Sequence, residues 1–127
     1  MQIIRGPSSW LILGVARTRH SLEELAFRNG YRVEAICHEI GCGIRYFHFV
    51  FLRDIGLPPK RWMRYERMVV ARRMLFGGRS PDEVAERVGF AGTNNFNREF
   101  TAIYRMTPRQ FIELTRSLQG DPEKKAS

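Results

Sequence analysis

Ile36-Cys37-His38-Glu39-Ile40-Gly41 and Val84-Ala85-Glu86-Arg87-Val88-Gly89 are two copies of one pattern, 48 positions apart. Past the glycine the offset becomes 49: Phe51 matches Phe100, Pro59 matches Pro108 and Trp62 matches Phe111. One residue has been added in the turn, and the chain stays in phase on both sides of it. Each copy has an apolar-small pair, then an apolar residue before a glycine. A second segment follows with aromatics four residues apart, Phe47 and Phe51 in one copy and Phe96 and Phe100 in the other. That spacing lines one face of a helix. Two short helices joined by a tight glycine-containing turn are the outline of a helix-turn-helix, here present twice.

Outward from the repeat, the punctuation is helical. Ser21 and Glu24 form a capping-box pattern before Leu22 and Leu25-Ala26, and Asn29-Gly30 ends that helix. The first copy predicts helices near 32–40 and 43–54, with Gly56 as the stop. Pro58-Pro59 opens a helix over about 59–76, since proline at the first helical position costs no hydrogen bond. Its Trp62, Tyr65, Met68, Ala71, Arg72 and Leu75 recur at three- and four-residue steps, with Met68, Ala71 and Leu75 in one buried stripe. Ser80-Pro81-Asp82-Glu83 combines an N-cap, a first-position proline and a box-closing glutamate. The second copy then occupies 81–104 with Gly89 to Gly92 as its turn, and Thr107-Pro108 with Gln110 starts a last helix to about 118. Gly6 to Ser9 reads as a loop, and Trp10 to Val15 as a short helix or strand packed on the domain. No segment alternates apolar and polar residues as a half-buried strand would. The expected fold class is all-α: two helix-turn-helix subdomains, about 21–57 and 77–118, joined by a long linker helix at about 59–76. Residues 1–20 stand outside that scheme, and 119–127 form a polar tail.

The charge is uneven. The chain of 127 residues carries a net charge of +8, and 18 of its 21 basic residues are arginine. Arginine suits bidentate contacts to phosphate and guanine. Residues 42–79 hold 9 basic and 2 acidic side chains, whereas 80–127 hold 7 of each. A basic excess concentrated on the first turn-helix segment and the connection after it is an electrostatic footprint for nucleic acid. The apolar run from Trp10 to Ala16 is too short to span a bilayer, and Arg17-Thr18-Arg19 does not supply an export cleavage site. A cytoplasmic protein with reduced Cys37 and Cys42 is expected.

At these residues the chain resembles the DNA-binding domain of the AraC/XylS family of bacterial transcription regulators, over about 21–111. The shared pattern is the small residue in each first helix (Cys37, Ala85) and the linker run Trp62-Met63, Arg67-Met68, Ala71-Arg72 and Leu75. The second copy adds Val84-Ala85, Val88-Gly89-Phe90, Asn94-Asn95-Phe96-Asn97-Arg98, Phe100, Thr107-Pro108 and Phe111. Three departures stand out. Gly43 replaces a capping serine, Phe49 an arginine, and Arg105 the glycine that usually ends the second recognition helix. Many members of the family carry a separate ligand-sensing domain, and residues 1–20 are too short to be one.

Readout by such a motif uses side chains near the start of the second helix. In the second copy these are Asn94, Asn95, Asn97 and Arg98; asparagine pairs bidentately with adenine and arginine with guanine. The resemblance implies that Asn94, Asn95 and Arg98 face bases and Asn97 the backbone. In the first copy it implies groove-facing positions at Arg45, His48 and Phe49. Phe49 either touches a thymine methyl or turns inward to enlarge the core, and the apolar Phe47, Val50 and Phe51 around it favour the inward alternative. Arg61 and Arg64 on the linker helix are candidate phosphate contacts. The second copy is thus expected to read bases while the first mainly holds the backbone.

Other patterns are bland on inspection. Cys37-His38 with Cys42 offers only three clustered ligands and no zinc-finger spacing, so buried thiols are expected rather than a metal. Asp82, Glu83 and Glu86 lie in a first helical turn, where the dipole alone accounts for them. No nucleophile-base pair and no glycine-rich phosphate loop is present, so neither an enzyme nor a cofactor is expected. The reading is a sequence-specific DNA-binding transcriptional regulator with two major-groove recognition helices. Its partner is double-stranded DNA, with RNA polymerase as a further candidate and no membrane. Two readers in one chain let a monomer bind an asymmetric site. The alternative is a basic helical protein-interaction module that docks an acidic partner.

Overall fold

The computed structural model describes residues 1–14 and 18–119. Val15 and the polar tail from residue 120 onward lie outside the described residues. In chain order the elements are β1 (Gln2–Arg5), β2 (Trp10–Leu13), β3 (Arg19–Ser21), α1 (Leu22–Arg28), α2 (Val33–Ile40), α3 (Ile44–Asp54), α4 (Pro59–Phe76), α5 (Pro81–Arg87), α6 (Thr93–Tyr104) and α7 (Pro108–Gln119). They form two compact units, Met1–Arg67 and Met68–Ser127, whose boundary falls inside α4.

Helix starts follow the capping chemistry. The Ser21 hydroxyl accepts from the Glu24 amide at 3.3 Å, and the Ser80 hydroxyl from the Glu83 amide at 3.2 Å. Thr107 and Gln110 close a reciprocal box. The Thr107 hydroxyl accepts from the Gln110 amide at 3.1 Å, and the Gln110 side-chain oxygen from the Thr107 amide at 2.9 Å. Each such cap satisfies an amide that the helix itself cannot.

In the first unit α1, α2 and α3 enclose Leu22, Leu25, Ala26, Ile36, Phe47, Val50 and Phe51, all fully buried. Trp62 of α4 meets the Phe51 ring edge-on, with centroids 5.9 Å apart. Glu39 of α2 accepts from Arg28 and, at 3.1 Å, from the Asn29 side chain. The Arg28 bond, helped by Asn29, holds the Glu39 carboxyl down to about 2.

The N-terminal segment forms a sheet that the sequence pattern did not announce. Its order is β1-β2-β3, antiparallel throughout, with Ile3 opposite Ile12 and Ile12 opposite His20. Of the two alternatives for the segment from Trp10, the strand is the one observed, over Trp10–Leu13. Ile3 and Ile12 are buried, and the sheet packs through β1 on α3 and through β2 on α1. Ile3 and Ile4 are adjacent, as are Leu11, Ile12 and Leu13, so the alternation that marks a half-buried strand is absent from the letters. Asp54, the last residue of α3, clamps the sheet: it accepts from the Ile3 amide at 2.8 Å and from Arg53 at 2.7 Å. Chiefly through the Arg53 bond, its carboxyl is held below the usual aspartate value.

In the second unit, Val84, Ala85, Val88, Phe96 and Phe100 are fully or almost fully buried. Phe111 of α7 meets the Phe100 ring edge-on, with centroids 5.9 Å apart, and Tyr104 of α6 lies tilted against it at 4.7 Å. Met68, Ala71 and Leu75 are buried as the stripe required, and Met63 joins Trp62 in the α4 half of the first unit. Tyr65 departs from the stripe and is 42% exposed. Arg72 also faces outward, its guanidinium 5.1 Å from the Tyr104 ring centroid.

Two consequences are testable. Leu75→Ala, at 2% exposure, should cost about 2–5 kcal/mol of stability; thermal unfolding that matches the parent would contradict its place in the core. Arg105 caps α6 in the left-handed region at φ 61°. The position 49 residues earlier holds Gly56 at φ 87°. An arginine there costs roughly 1–2 kcal/mol, part of which a glycine would return as unfolded-chain entropy. Arg105→Gly should therefore stabilise the protein by about 0.5–1 kcal/mol, and an unfolding midpoint no higher than the parent's would refute that strain.

Candidate nucleic-acid interface

The two copies close their turns with the same hydrogen bonds. The Cys42 amide donates to the Cys37 carbonyl at 3.0 Å, and the Phe90 amide to the Ala85 carbonyl at 2.9 Å. The glycine at each corner is left-handed, Gly41 at φ 69° and Gly89 at φ 85°. At Gly41 an added Cβ would meet nothing within 4 Å, so the requirement there is backbone conformation rather than space. The second helices then begin at Gly43 and Gly92, 49 positions apart, and neither glycine offers a side-chain cap. The start of α6 is instead held by Thr93, whose hydroxyl donates to the Asp82 carboxylate at 2.7 Å.

In α6, Phe96 and Phe100 are fully buried, with ring centroids 5.8 Å apart. Asn94, Asn95 and Arg98 are exposed on the opposite side, and Asn97 is half-buried. The Asn97 carbonyl also accepts from the Thr101 hydroxyl at 2.7 Å. Beside this face lies a groove of about 530 Å³ lined by Asp82, Thr93, Asn94, Asn97, Thr107 and Arg109, among others. Of the four polar candidates of the second copy, Asn94 and Asn97 line this groove, while Asn95 and Arg98 are exposed outside its lining.

In α3, Phe47, Val50 and Phe51 are fully buried, and Arg45 and His48 are exposed. Phe49 corrects the expectation that it turns inward. It is 58% exposed, and the Arg53 guanidinium lies 5.8 Å from its ring centroid. The reason is angular. At 100° per residue, Phe47, Val50 and Phe51 already fill the buried arc, and Phe49 falls on the far side with Arg45. Leu52 stands on the same outward stripe and is 44% exposed, a position the sequence reading passed over. Its signal was available, one turn beyond His48 and seven residues beyond Arg45.

On the α4 half of the first unit, Arg61 and Arg64 are exposed, with Lys60 beside them. The remaining candidates have ordinary surroundings. Cys37 is buried and Cys42 half-buried, while His38 is exposed. Burial, with Cys42 adding to it, pushes the Cys37 thiol up to about 12. Glu83 bonds Arg79 at 2.7 Å and Arg87 at 3.2 Å, and Asp82 bonds Thr93, so both carboxylates are engaged in holding helix starts. Among the described residues no helix is long and apolar enough to cross a membrane.

A family model described as a helix-turn-helix domain matches residues 36–113, well over half of the chain. The chain belongs to the AraC/XylS family of helix-turn-helix domains. Among curated relatives, the HTH-type transcriptional activator RhaS of Salmonella arizonae is 30% identical over 77 residues, which cover 60% of this chain. That match spans 28% of the relative, so the chain corresponds to little more than a quarter of it. Two solved structures share the fold. The DNA-binding domain of the global transcriptional factor AdpA, solved in complex with a target DNA, aligns with a TM-score of 0.66 at 24% identity, covering 76% of this chain and 90% of that one. An AraC-type regulator from Chromobacterium violaceum aligns with a TM-score of 0.60 at 20% identity, covering 78% and 88%.

Proposed function

We propose that this AraC/XylS domain is the DNA-binding part of a sequence-specific transcriptional regulator, acting in the cytoplasm by inserting α3 and α6 into major grooves of double-stranded DNA. The observation that carries the reading is the outward row of Asn94, Asn95 and Arg98, opposite the buried Phe96 and Phe100. Two amides and a guanidinium aimed away from the core are the set that pairs with adenine and guanine edges. In this reading Asn97 meets the backbone, and Arg45 and His48 serve the first unit. Arg61 and Arg64 on the connecting helix, about 59–76, neutralise phosphates. That RhaS is a transcriptional activator and AdpA binds a target DNA supports the assignment. The proposed role is binding rather than catalysis. Two recognition helices in one chain suit an asymmetric site bound by a monomer.

A second reading has one observation in its favour. In the second unit, Arg72, Arg73, Phe76, Phe111 and Leu118 are among the residues lining a groove of about 410 Å³, which combines apolar side chains with two arginines. In this reading an acidic protein such as RNA polymerase docks there in place of DNA.

Salt dependence separates the two. If six or more phosphates are neutralised, log K should fall with log salt at a slope of about −5 or steeper. A slope near zero on duplex DNA would remove the DNA reading and favour protein docking. Neutralising Arg61 or Arg64 should flatten the slope by about one unit each.

Base readout is tested by binding-site selection. Arg98→Ala should lose roughly 1–3 kcal/mol on the selected site and little on random DNA. If Arg98→Ala leaves the selected motif intact while Arg45→Ala erases it, the division of labour is the reverse.

A further inference from the structure

We propose that α3 reads thymine. On its outward stripe Phe49 and Leu52 stand where they would pack against C5-methyl groups in the major groove, so the half of the site bound by the first unit contains thymine at the positions they meet. The inference rests on the DNA reading above and assigns the first unit a share of base recognition that its basic charge alone would not give it.

Arg45, His48, Phe49 and Leu52 are spaced i, i+3, i+4 and i+7, which places them on one stripe of the helix. All four are exposed, with Phe49 at 58% and Leu52 at 44%. The positions 49 residues on from Phe49 and Leu52 are Arg98 and Thr101. Arg98 is exposed and polar where Phe49 is exposed and apolar, Thr101 is half-buried with its hydroxyl on the Asn97 carbonyl, and the buried phenylalanines are kept in both copies. Phe49 and Arg98 thus give the outward faces of the two helices opposite chemistries.

An apolar side chain cannot pair with a donor or acceptor on a base edge. Of the groups displayed in the major groove, the thymine methyl is the apolar one. Charge argues for DNA as the occupant over another protein surface. Arg45 lies on the stripe itself, Arg53 sits over the Phe49 ring, and Lys60 and Arg61 are exposed in the same unit. A second copy docked through this face by a two-fold axis would bring two Arg45-bearing stripes together with no carboxylate on either stripe to offset them. A polyanion meets them favourably. Arg53 is itself anchored, donating to Asp54 at 2.7 Å and to the Met1 carbonyl at 2.9 Å. The cation above the ring therefore restrains Phe49 in its outward setting.

Deoxyuridine provides the test, because it removes the methyl group and nothing else. A site is first obtained by binding-site selection with the full chain, and each thymine in it is then replaced singly. At one or two thymines in one half of the site, wild-type binding should weaken about fourfold, the worth of one buried methyl. There Phe49→Ala or Leu52→Ala should bind thymine and uracil alike, while thymines elsewhere keep their wild-type response. Phe49 and Leu52 are exposed, so neither variant threatens the fold, and the wild-type measurement needs no variant at all. If uracil is tolerated throughout while the selected motif and the steep salt slope remain, the thymine inference falls and the DNA reading stands. If selection returns no motif, both fall. Uracil tolerance together with loss of a dimer in Phe49→Ala, seen by sedimentation, would make the face an interface between copies and overturn the inference.

Discussion

The second helix of each helix-turn-helix in this protein is oriented by the burial of two phenylalanines one turn apart. Phe47 and Phe51 in α3, and Phe96 and Phe100 in α6, are all fully buried. Their rings contact each other at 5.0 and 5.8 Å. A pair at i and i+4 fixes a helix in rotation about its own axis, since turning it by even one residue would move both rings out of the core. Rotation in turn decides which residues face outward. The small residues Cys37 and Ala85 matter for the same reason. They are almost fully buried in the first helix of each copy, just before the corner, where their carbonyls also receive the amide that closes the turn.

With rotation settled by the buried arc, the outward arc is free to vary in chemistry without disturbing the fold. In α6 it carries amides and a guanidinium; in α3 it carries a cation, an imidazole, a phenyl ring and an isobutyl group. These are different ways to recognise a surface. Hydrogen-bonding groups discriminate by donor and acceptor pattern, and apolar groups by where a methyl removes water. The two copies also end their second helices differently. The first copy leaves its second helix through Gly56, whereas the second copy leaves through a left-handed Arg105, at a conformational cost that a glycine would avoid. Nothing in the structure explains why arginine stands there.

The first unit also carries an addition that the second lacks among the described residues. A three-stranded sheet packs on α1 and α3 and is tied to the end of α3 through Asp54, Ile3 and Arg53. The carboxylate that would otherwise sit unfavourably at a helix C-terminus is offset by a guanidinium and a strand amide. This ties the end of α3 to the strands.

The sequence by itself determined the local grammar of the fold. Ser21, Ser80 and Thr107 start helices because their hydroxyls satisfy amides nearby in the chain, and Gly41 and Gly89 turn it because they tolerate positive φ; these effects act within a few residues and leave a mark in the letters. The repeat offset exposed the same architecture twice, and the amide-rich start of α6 could be read as an outward face because its buried partners are plainly aromatic. Only the tertiary structure decided the rest. The sheet depends on pairing between segments whose letters show no alternation, since Ile3 and Ile12 find an inside only when α1 and α3 supply it. Tyr65 matched the period of a buried stripe, yet is 42% exposed. Phe49 is the sharpest case: its hydrophobicity argued for the interior, but the interior arc of α3 was already filled by Phe47, Val50 and Phe51. Which apolar residue stays outside is a question of available volume, and volume is a property of the assembled core rather than of any stretch of sequence.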